Sequence, residues 1–114
     1  VLTGLNEEIS TSHKQRLGLK NNRYFNAGLI IINYEKWSKP ETVDNLLDIM
    51  NSNYGNIEFW DQDILNIYFD GKFSDLPINL NYISPDGKNV YEEQINFLHY
   101  AGSNKPWYFE NTFN

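Results

Sequence analysis

Residues 25–33 read FNAGLIIIN, an apolar and β-branched run without polar alternation. A strand that faces solvent on one side alternates, so this run suits a strand covered on both faces, in a parallel or mixed sheet flanked by helices. Upstream, Leu5, Ile9 and Leu17 recur at multiples of four, with Glu7 and Glu8 early and Lys14 and Arg16 late. That pattern predicts a helix ending at Gly18. Downstream, SKPETVDNLLDIMNSN offers Ser38 and Glu41 as a capping box, Pro40 in the first turn, and Val43, Leu46, Leu47 and Met50 as an apolar stripe. Asp61 is expected to cap a further helix through Ile64, Leu65, Tyr68 and Phe69, stopped by Gly71. A short strand over 78–82, a turn at Pro85, Asp86 and Gly87, and a last strand in INFLHY complete the pattern, with Ile95, Phe97 and His99 on one face.

Alternating strands and helices argue for an α/β or mixed architecture. Only three strands are legible in 114 residues, too few to cover residues 28–32 from both sides. The sheet is therefore expected to be incomplete, with further chain finishing it, and Val1 in place of an initiator Met agrees with that expectation. An open edge of this kind invites self-association.

Nine Lys and Arg against fifteen Asp and Glu leave a net charge of −6, the wrong sign for a surface that binds nucleic acid or anionic lipid. The absence of cysteine removes disulfides, thiolate metal sites and a thiol nucleophile. The longest apolar run, 29–32, is far short of a membrane span of about 20 residues. Eighteen aromatics, among them Trp37, Trp60 and Trp107, fit either a dense core or rings that stack on sugars, and composition does not separate the two.

Three polar clusters sit at junctions of strand and helix, where α/β sheets place their ligands. In HYAGSNKPW, His99 is followed three residues later by Gly102 and six later by Lys105. Glycine lets backbone approach an anion, lysine supplies a point charge, and neutral imidazole binds manganese or zinc, a combination suited to phosphate. The same residues also read as a half-buried histidine, a turn glycine and a solvated lysine. In DQD, helical geometry points Asp61 and Asp63 to nearly opposite sides, so they do not form a carboxylate pair around one sugar bond. Asp61 as N-cap, Asp63 as a first-turn acid and Gln62 as solvated surface are the structural readings of that cluster. Asn26 is suited either to capping a loop or to bonding a sugar hydroxyl.

Taken in order, YFNAGLIIINYEKW, FWDQDILNIYFDGKFSDLP and NFLHYAGSNKPW resemble the second half of the family 8 glycosyltransferases, the group that holds lipopolysaccharide galactosyl- and glucosyltransferases and glycogenin. The resemblance covers residues 5–107 and is sharpest at His99, Gly102, Lys105, Pro106 and Trp107. It implies a GT-A type α/β fold and retaining transfer of a hexose, from a nucleotide-diphosphate sugar such as UDP-glucose or UDP-galactose to a saccharide or glycolipid acceptor, with Mn²⁺ or Mg²⁺. It also implies His99 as a metal ligand, Gly102 and Lys105 as diphosphate contacts, and Asn26, Asp61 and Gln62 around the donor sugar, with Asp61 and Gln62 nearest the chemistry. The family's Asp-x-Asp metal motif lies in the first, nucleotide-binding half, and none precedes Phe25 here. By this resemblance, residues 1–114 are the C-terminal portion of one catalytic domain, inactive alone. The whole enzyme is expected to be cytoplasmic, meeting the inner membrane face only through segments not in this chain. The competing readings are a non-catalytic carbohydrate-binding module and a structural interaction piece.

Overall fold

Strand and helix alternate along the chain, in shorter pieces than the sequence predicts. The computed structural model describes residues 2–3, 6–8, 11–83, 95–103 and 105–108. Among these, β1 (Leu2–Thr3), β2 (Asn6–Glu8) and α1 (Thr11–Leu17) lead into β3 (Arg23–Phe25), β4 (Ile30–Ile31) and α2 (Tyr34–Trp37). The long α3 (Pro40–Asn53) and α4 (Trp60–Phe69) follow, and then β5 (Ser74–Asp75), β6 (Tyr82–Ile83) and β7 (Leu98–His99). β1 lies between β4, antiparallel, and β5, parallel; β2 pairs antiparallel with β3, and β6 pairs parallel with β7. The pairing is mixed, as the apolar run suggested.

Several expectations are corrected. The helix expected from Leu5 begins only at Thr11, and its first half is β2, registered as Asn6 to Phe25 and Glu8 to Arg23. Cross-strand pairing outweighs a sparse helical stripe. Gly18 does end α1, at φ +66°, with its N–H on the Gln15 carbonyl at 3.2 Å and the Leu19 N–H on Lys14 at 3.1 Å. The single strand expected over 25–33 divides into β3 and β4, because the chain turns at Asn26, whose Oδ1 accepts from the Gly28 N–H at 2.8 Å. Ser38 caps no helix N-terminus; it closes α2, donating its N–H to Tyr34 at 2.8 Å. Proline's fixed φ enters α3 at its first position and makes Lys39 the cap residue, without a side-chain bond. Residues 78–80 form a 3₁₀ turn instead of a strand, and only Leu98 and His99 of INFLHY are in β7. The turn expected at Pro85, Asp86 and Gly87 lies outside the described residues.

The core is small and aromatic. Leu17, Leu19 and Tyr24 form a buried cluster with Ile67 against it. Phe25 is fully buried, edge-on to Phe73 at 4.9 Å between ring centroids and tilted to Phe69 at 6.3 Å. Burying such a side chain is worth about 1.5–3 kcal/mol. Trp37 packs on Tyr68 and Phe69, a core-edge role and not a sugar platform. By contrast the apolar stripe of α3 is open: Val43 is 59% exposed, and Leu47 and Met50 are also exposed. Four groups converge where α4 ends, with Asp70 in the left-handed region at φ +39° and its Oδ1 accepting from Lys20 N–H at 3.0 Å and Asn21 Nδ2 at 2.8 Å. Arg23 joins them, donating to the carbonyls of Gly71 and Phe73 and pairing with Asp75 at 3.0 Å.

Candidate functional site

The site is built where β3 meets the start of α4. Asn66, nearly fully buried on α4, accepts from the Phe25 N–H at 2.9 Å and donates to the Phe25 carbonyl at 2.9 Å. One amide thus satisfies both backbone groups at the end of β3 and locks the strand to the helix. Just beyond Phe25, Asn26, Ala27 and Gly28 form one wall of an open pocket of about 460 Å³. Residues 58–62, at the entry to α4, form the second wall, and His99 from β7 closes the third side. Three segments distant in sequence meet here, and the β3–α4 lock joins two of them.

Four of the residues singled out in the sequence line this pocket: Asn26, Asp61, Gln62 and His99. Asn26 Oδ1 takes a second bond from the buried Asn81 at 3.1 Å, so its oxygen shapes the loop. Asp61 is exposed on the pocket wall. It is not the N-cap, because α4 starts one residue earlier, with Phe59 as the cap residue. Gln62 is not solvated surface: its Oε1 accepts from the Ala27 N–H at 3.0 Å and its Nε2 donates to the Tyr24 hydroxyl at 3.0 Å. His99 stacks directly on Gly28, where an added Cβ would lie 2.2 Å from its Cε1. Gly102 and Lys105 lie three and six residues further on and do not line the pocket. Gly102 holds φ +78°, and Lys105 Nζ donates to the Tyr100 carbonyl.

Asp63 is the largest surprise. Read as a first-turn acid, it is 0% exposed and the most heavily bonded side chain of the region. Its Oδ2 accepts from the N–H groups of Glu58 at 2.8 Å and Phe59 at 2.9 Å and from Arg16 at 2.9 Å; its Oδ1 accepts from the Tyr24 hydroxyl at 2.7 Å. Asp63 is thus a first-turn acid as expected, but a buried one that reaches back to hold the backbone entering α4, while the helix start has no side-chain cap. Burial pushes the Asp63 carboxyl upward, but the Arg16 guanidinium and the two backbone N–H groups outweigh it and hold it below the usual range. Burial, with the bond to Asp63 adding to it, pushes the Tyr24 phenol well above its ordinary value. Arg16 reads in the sequence only as a last-turn cation of α1 and Tyr24 only as part of the YFNAG stretch, since each is linked to DQD only through space.

These shifts carry a sign. A carboxyl held below its unfolded value of about 3.9 contributes stability above that pH and loses it as the pH falls through the folded value. A phenol held above about 10 contributes fully below that pH and loses its share as the pH rises further. Thermal unfolding between pH 7 and 3 is expected to show a steep acid limb that flattens in Asp63→Asn, a variant already less stable at pH 7. An unchanged limb would exclude Asp63 as its source.

For a metal, the pocket wall carries the carboxylates of Glu58 and Asp61 and the imidazole of His99. His99 Nδ1 is buried without a hydrogen-bond partner, the condition of an imidazole awaiting a ligand or proton partner. No group of three His, Cys, Asp or Glu able to hold an ion by itself occurs among the described residues. His99 thus fits a metal as a single ligand and does not by itself make a site.

The same architecture occurs in known proteins. The crystal structure of an active-site mutant of LgtC matches with a TM-score of 0.71 at 25% identity, covering 92% of this chain and 44% of that one. The structure of galactosyltransferase LgtC with donor and acceptor sugar analogs matches with a TM-score of 0.69 at 27% identity, over 88% of this chain and 41% of that one. The fold is of the GT-A type. A family model, glycosyl transferase family 8, matches residues 4–111, and the chain belongs to that family. Among curated relatives, a putative glycosyltransferase of Haemophilus influenzae is 30% identical, over 85% of this chain and 32% of that protein. A lipopolysaccharide 1,2-glucosyltransferase of Escherichia coli is 31% identical, over 82% of this chain and 34% of that protein. A lipopolysaccharide 1,3-galactosyltransferase of Salmonella typhimurium is 34% identical, over 75% of this chain and 28% of that protein. The chain thus spans about a third of the length of these relatives. Among the described residues no helix is long and apolar enough to cross a membrane.

Proposed function

We propose that this chain is the C-terminal portion of a single GT-A catalytic domain that transfers a hexose, with retention, from UDP-glucose or UDP-galactose to a saccharide or glycolipid acceptor. The observation that carries the reading is the meeting of Asn26, Asp61, Gln62 and His99, from three separate segments, around one pocket. Lipopolysaccharide transferases among the relatives and the sugar analogs in the LgtC complex support the substrate class. The open apolar stripe on α3 supports a longer domain, since an uncovered stripe of this kind is ordinarily packed. In that reading the isolated portion is inactive, and the complete enzyme is cytoplasmic, peripheral at most to the inner membrane face.

Each residue has a part. Asn26, Asp61 and Gln62 surround the donor sugar. Gln62 presents an amide oxygen to the positive charge that develops at the anomeric carbon, a preorganised dipole that strengthens where water is excluded. The LgtC variant noted above exchanges an active-site glutamine for glutamate, which supports a glutamine at that position of the chemistry. Gly102 and Lys105 take the diphosphate, the first by a backbone N–H and the second by an ammonium that keeps two donors beyond the one bonded to Tyr100. His99 would help hold Mn²⁺ or Mg²⁺, which neutralises charge on a departing diphosphate.

Calorimetric titration of the complete enzyme with UDP, with and without Mn²⁺, tests this reading. Binding that requires the cation and weakens in His99→Ala is expected; sugar binding indifferent to nucleotide and metal would favour a non-catalytic carbohydrate-binding module. Lys105→Ala removes a charge-assisted bond of about 1.5–3 kcal/mol, so turnover is expected to fall roughly 10- to 100-fold. Unchanged turnover there would remove Lys105 from the reaction.

A further inference from the structure

We infer that Tyr24 and Asp63 are positioning residues that set which end of the Gln62 amide faces the pocket; the inference rests on the proposed role of Gln62. A glutamine amide has an oxygen and a nitrogen end of nearly equal shape, and only its hydrogen-bond partners distinguish them. At the pocket side the partner is the Ala27 N–H, which always donates, and Ala27 itself lines the pocket. At the opposite side the partner is the buried Tyr24 hydroxyl, which both donates and accepts. Left to itself, that hydroxyl accommodates either end of the amide.

Asp63 removes the ambiguity. Its Oδ1 takes the Tyr24 proton at 2.7 Å, so toward Gln62 the Tyr24 oxygen has only a lone pair to offer. Gln62 must then turn its NH₂ to Tyr24 and its oxygen to Ala27 and the pocket, as found. Asp63 in turn stays acceptor-only because its Oδ2 faces three donors, Arg16 and the N–H groups of Glu58 and Phe59, and the second Arg16 nitrogen lies 3.4 Å from Oδ1. The low carboxyl and high phenol set out above agree with this assignment. Donor and acceptor thus alternate without a break from Arg16, through Asp63, Tyr24 and Gln62, to Ala27. Arg16, Tyr24 and Asp63 do not line the pocket, so they act on the reaction only through Gln62.

The decisive variant is Asp63→Asn. The three donors around Oδ2 at 2.8–2.9 Å will draw the new amide oxygen to that position and leave its NH₂ facing Tyr24, the long contact of Arg16 Nη2 with Oδ1 at 3.4 Å being the one given up. The Tyr24 hydroxyl then accepts from residue 63 and turns its proton to Gln62, whose amide can accept it only by setting NH₂ against the Ala27 N–H. A single isosteric change reverses the chain of bonds. Tyr24→Phe alone removes one tether and leaves Ala27 to orient the amide.

The test uses the complete transferase, steady-state kinetics, and nuclear Overhauser contacts from the Gln62 amide protons. In the unsubstituted enzyme those protons are expected to contact the Tyr24 ring. Tyr24→Phe is expected to lower kcat about 3- to 10-fold at nearly constant KM, the size of one lost neutral hydrogen bond. Asp63→Asn is expected to lower kcat about 100-fold and to lose the Tyr24 contact. The double variant, without the misdirected proton, is expected to recover at least about 5-fold over Asp63→Asn, whereas a merely structural role adds the two losses. A double variant no better than Asp63→Asn overturns the inference, as does a Gln62 amide that keeps its Tyr24 contact in Asp63→Asn. Should Asp63→Asn not fold, the decision falls to the unsubstituted enzyme and Tyr24→Phe: absence of the Tyr24 contact in the first, or an unchanged kcat in the second, overturns it. Gln62→Ala separates the two layers, because full turnover in that variant overturns the role of Gln62 itself, whereas a lost turnover with no recovery in the double variant overturns only the relay.

Discussion

Gly28→Ala is expected to abolish most of the activity of the complete enzyme while leaving it folded. A Cβ at this position would lie 2.2 Å from His99 Cε1, 2.5 Å from His99 Nδ1 and 2.8 Å from Asn26 Oδ1. No real side-chain carbon is found that close to its neighbours, so the imidazole must move away. Overpacking of this kind costs about 1–3 kcal/mol, and here the strain falls on the ring proposed to hold the cation and on the oxygen that shapes the Asn26 loop. Turnover is expected to fall by roughly 10- to 100-fold, and half-saturation with Mn²⁺ to rise in parallel. Gly55→Ala is the control: its Cβ would enter open space and its φ lies outside the left-handed region, so activity should not change. Equal activity in the two variants would show that His99 has no fixed position to defend.

Asn66→Ala is expected to have the largest effect on stability. It deprives the buried N–H and carbonyl of Phe25 of their partners at one stroke. Each unsatisfied group costs about 1–3 kcal/mol, so a loss of about 2–6 kcal/mol is expected, or roughly 3–8 °C in Tm for a protein three times this length. Asn66→Asp separates bonding from volume, since it keeps an acceptor for Phe25 N–H but sets a second acceptor against the Phe25 carbonyl. It should be almost as damaging. A Tm within a degree or two of the unsubstituted protein for both would mean that β3 is held to α4 by packing of Phe25 alone. Because Asn26 to Gly28 follow directly, kcat should fall with stability in these variants, whereas in Gly28→Ala it should fall without it.

The two variants probe different kinds of information. Asn26, Asp61, Gln62 and His99 could be singled out from the sequence because each stands beside a strand end or helix start in a short polar cluster, and the pocket does gather them. Helix ends set by local chemistry were also legible: Gly18 stops α1 because left-handed φ suits glycine, and Pro40 opens α3 because its φ suits the first turn. Where local signals competed with pairing they failed. The stripe from Leu5 gave way to β2 because residues 6–8 found β3 to bond, and the apolar run from Phe25 broke at Asn26 because an amide oxygen could close a turn there. Asp61 lost its expected capping role and Asp63, a first-turn acid as expected, became a buried one for a related reason. Spacing places both acids in the first turn, and only the position of Arg16 and Tyr24 makes 63 the one that is buried.

The order of residues by itself determined the mixed alternation of strand and helix and the polar clusters at its junctions, since these rest on composition and spacing within a few residues, and its motifs carried the resemblance to the family. Tertiary structure decided which acid is sequestered, which atom of Gln62 meets the pocket and why residue 28 has no room for a side chain. Hydrogen-bond polarity passes between segments 35 to 55 residues apart in the chain, the contact of Gly28 with His99 spans a longer stretch still, and no periodicity within one segment encodes them.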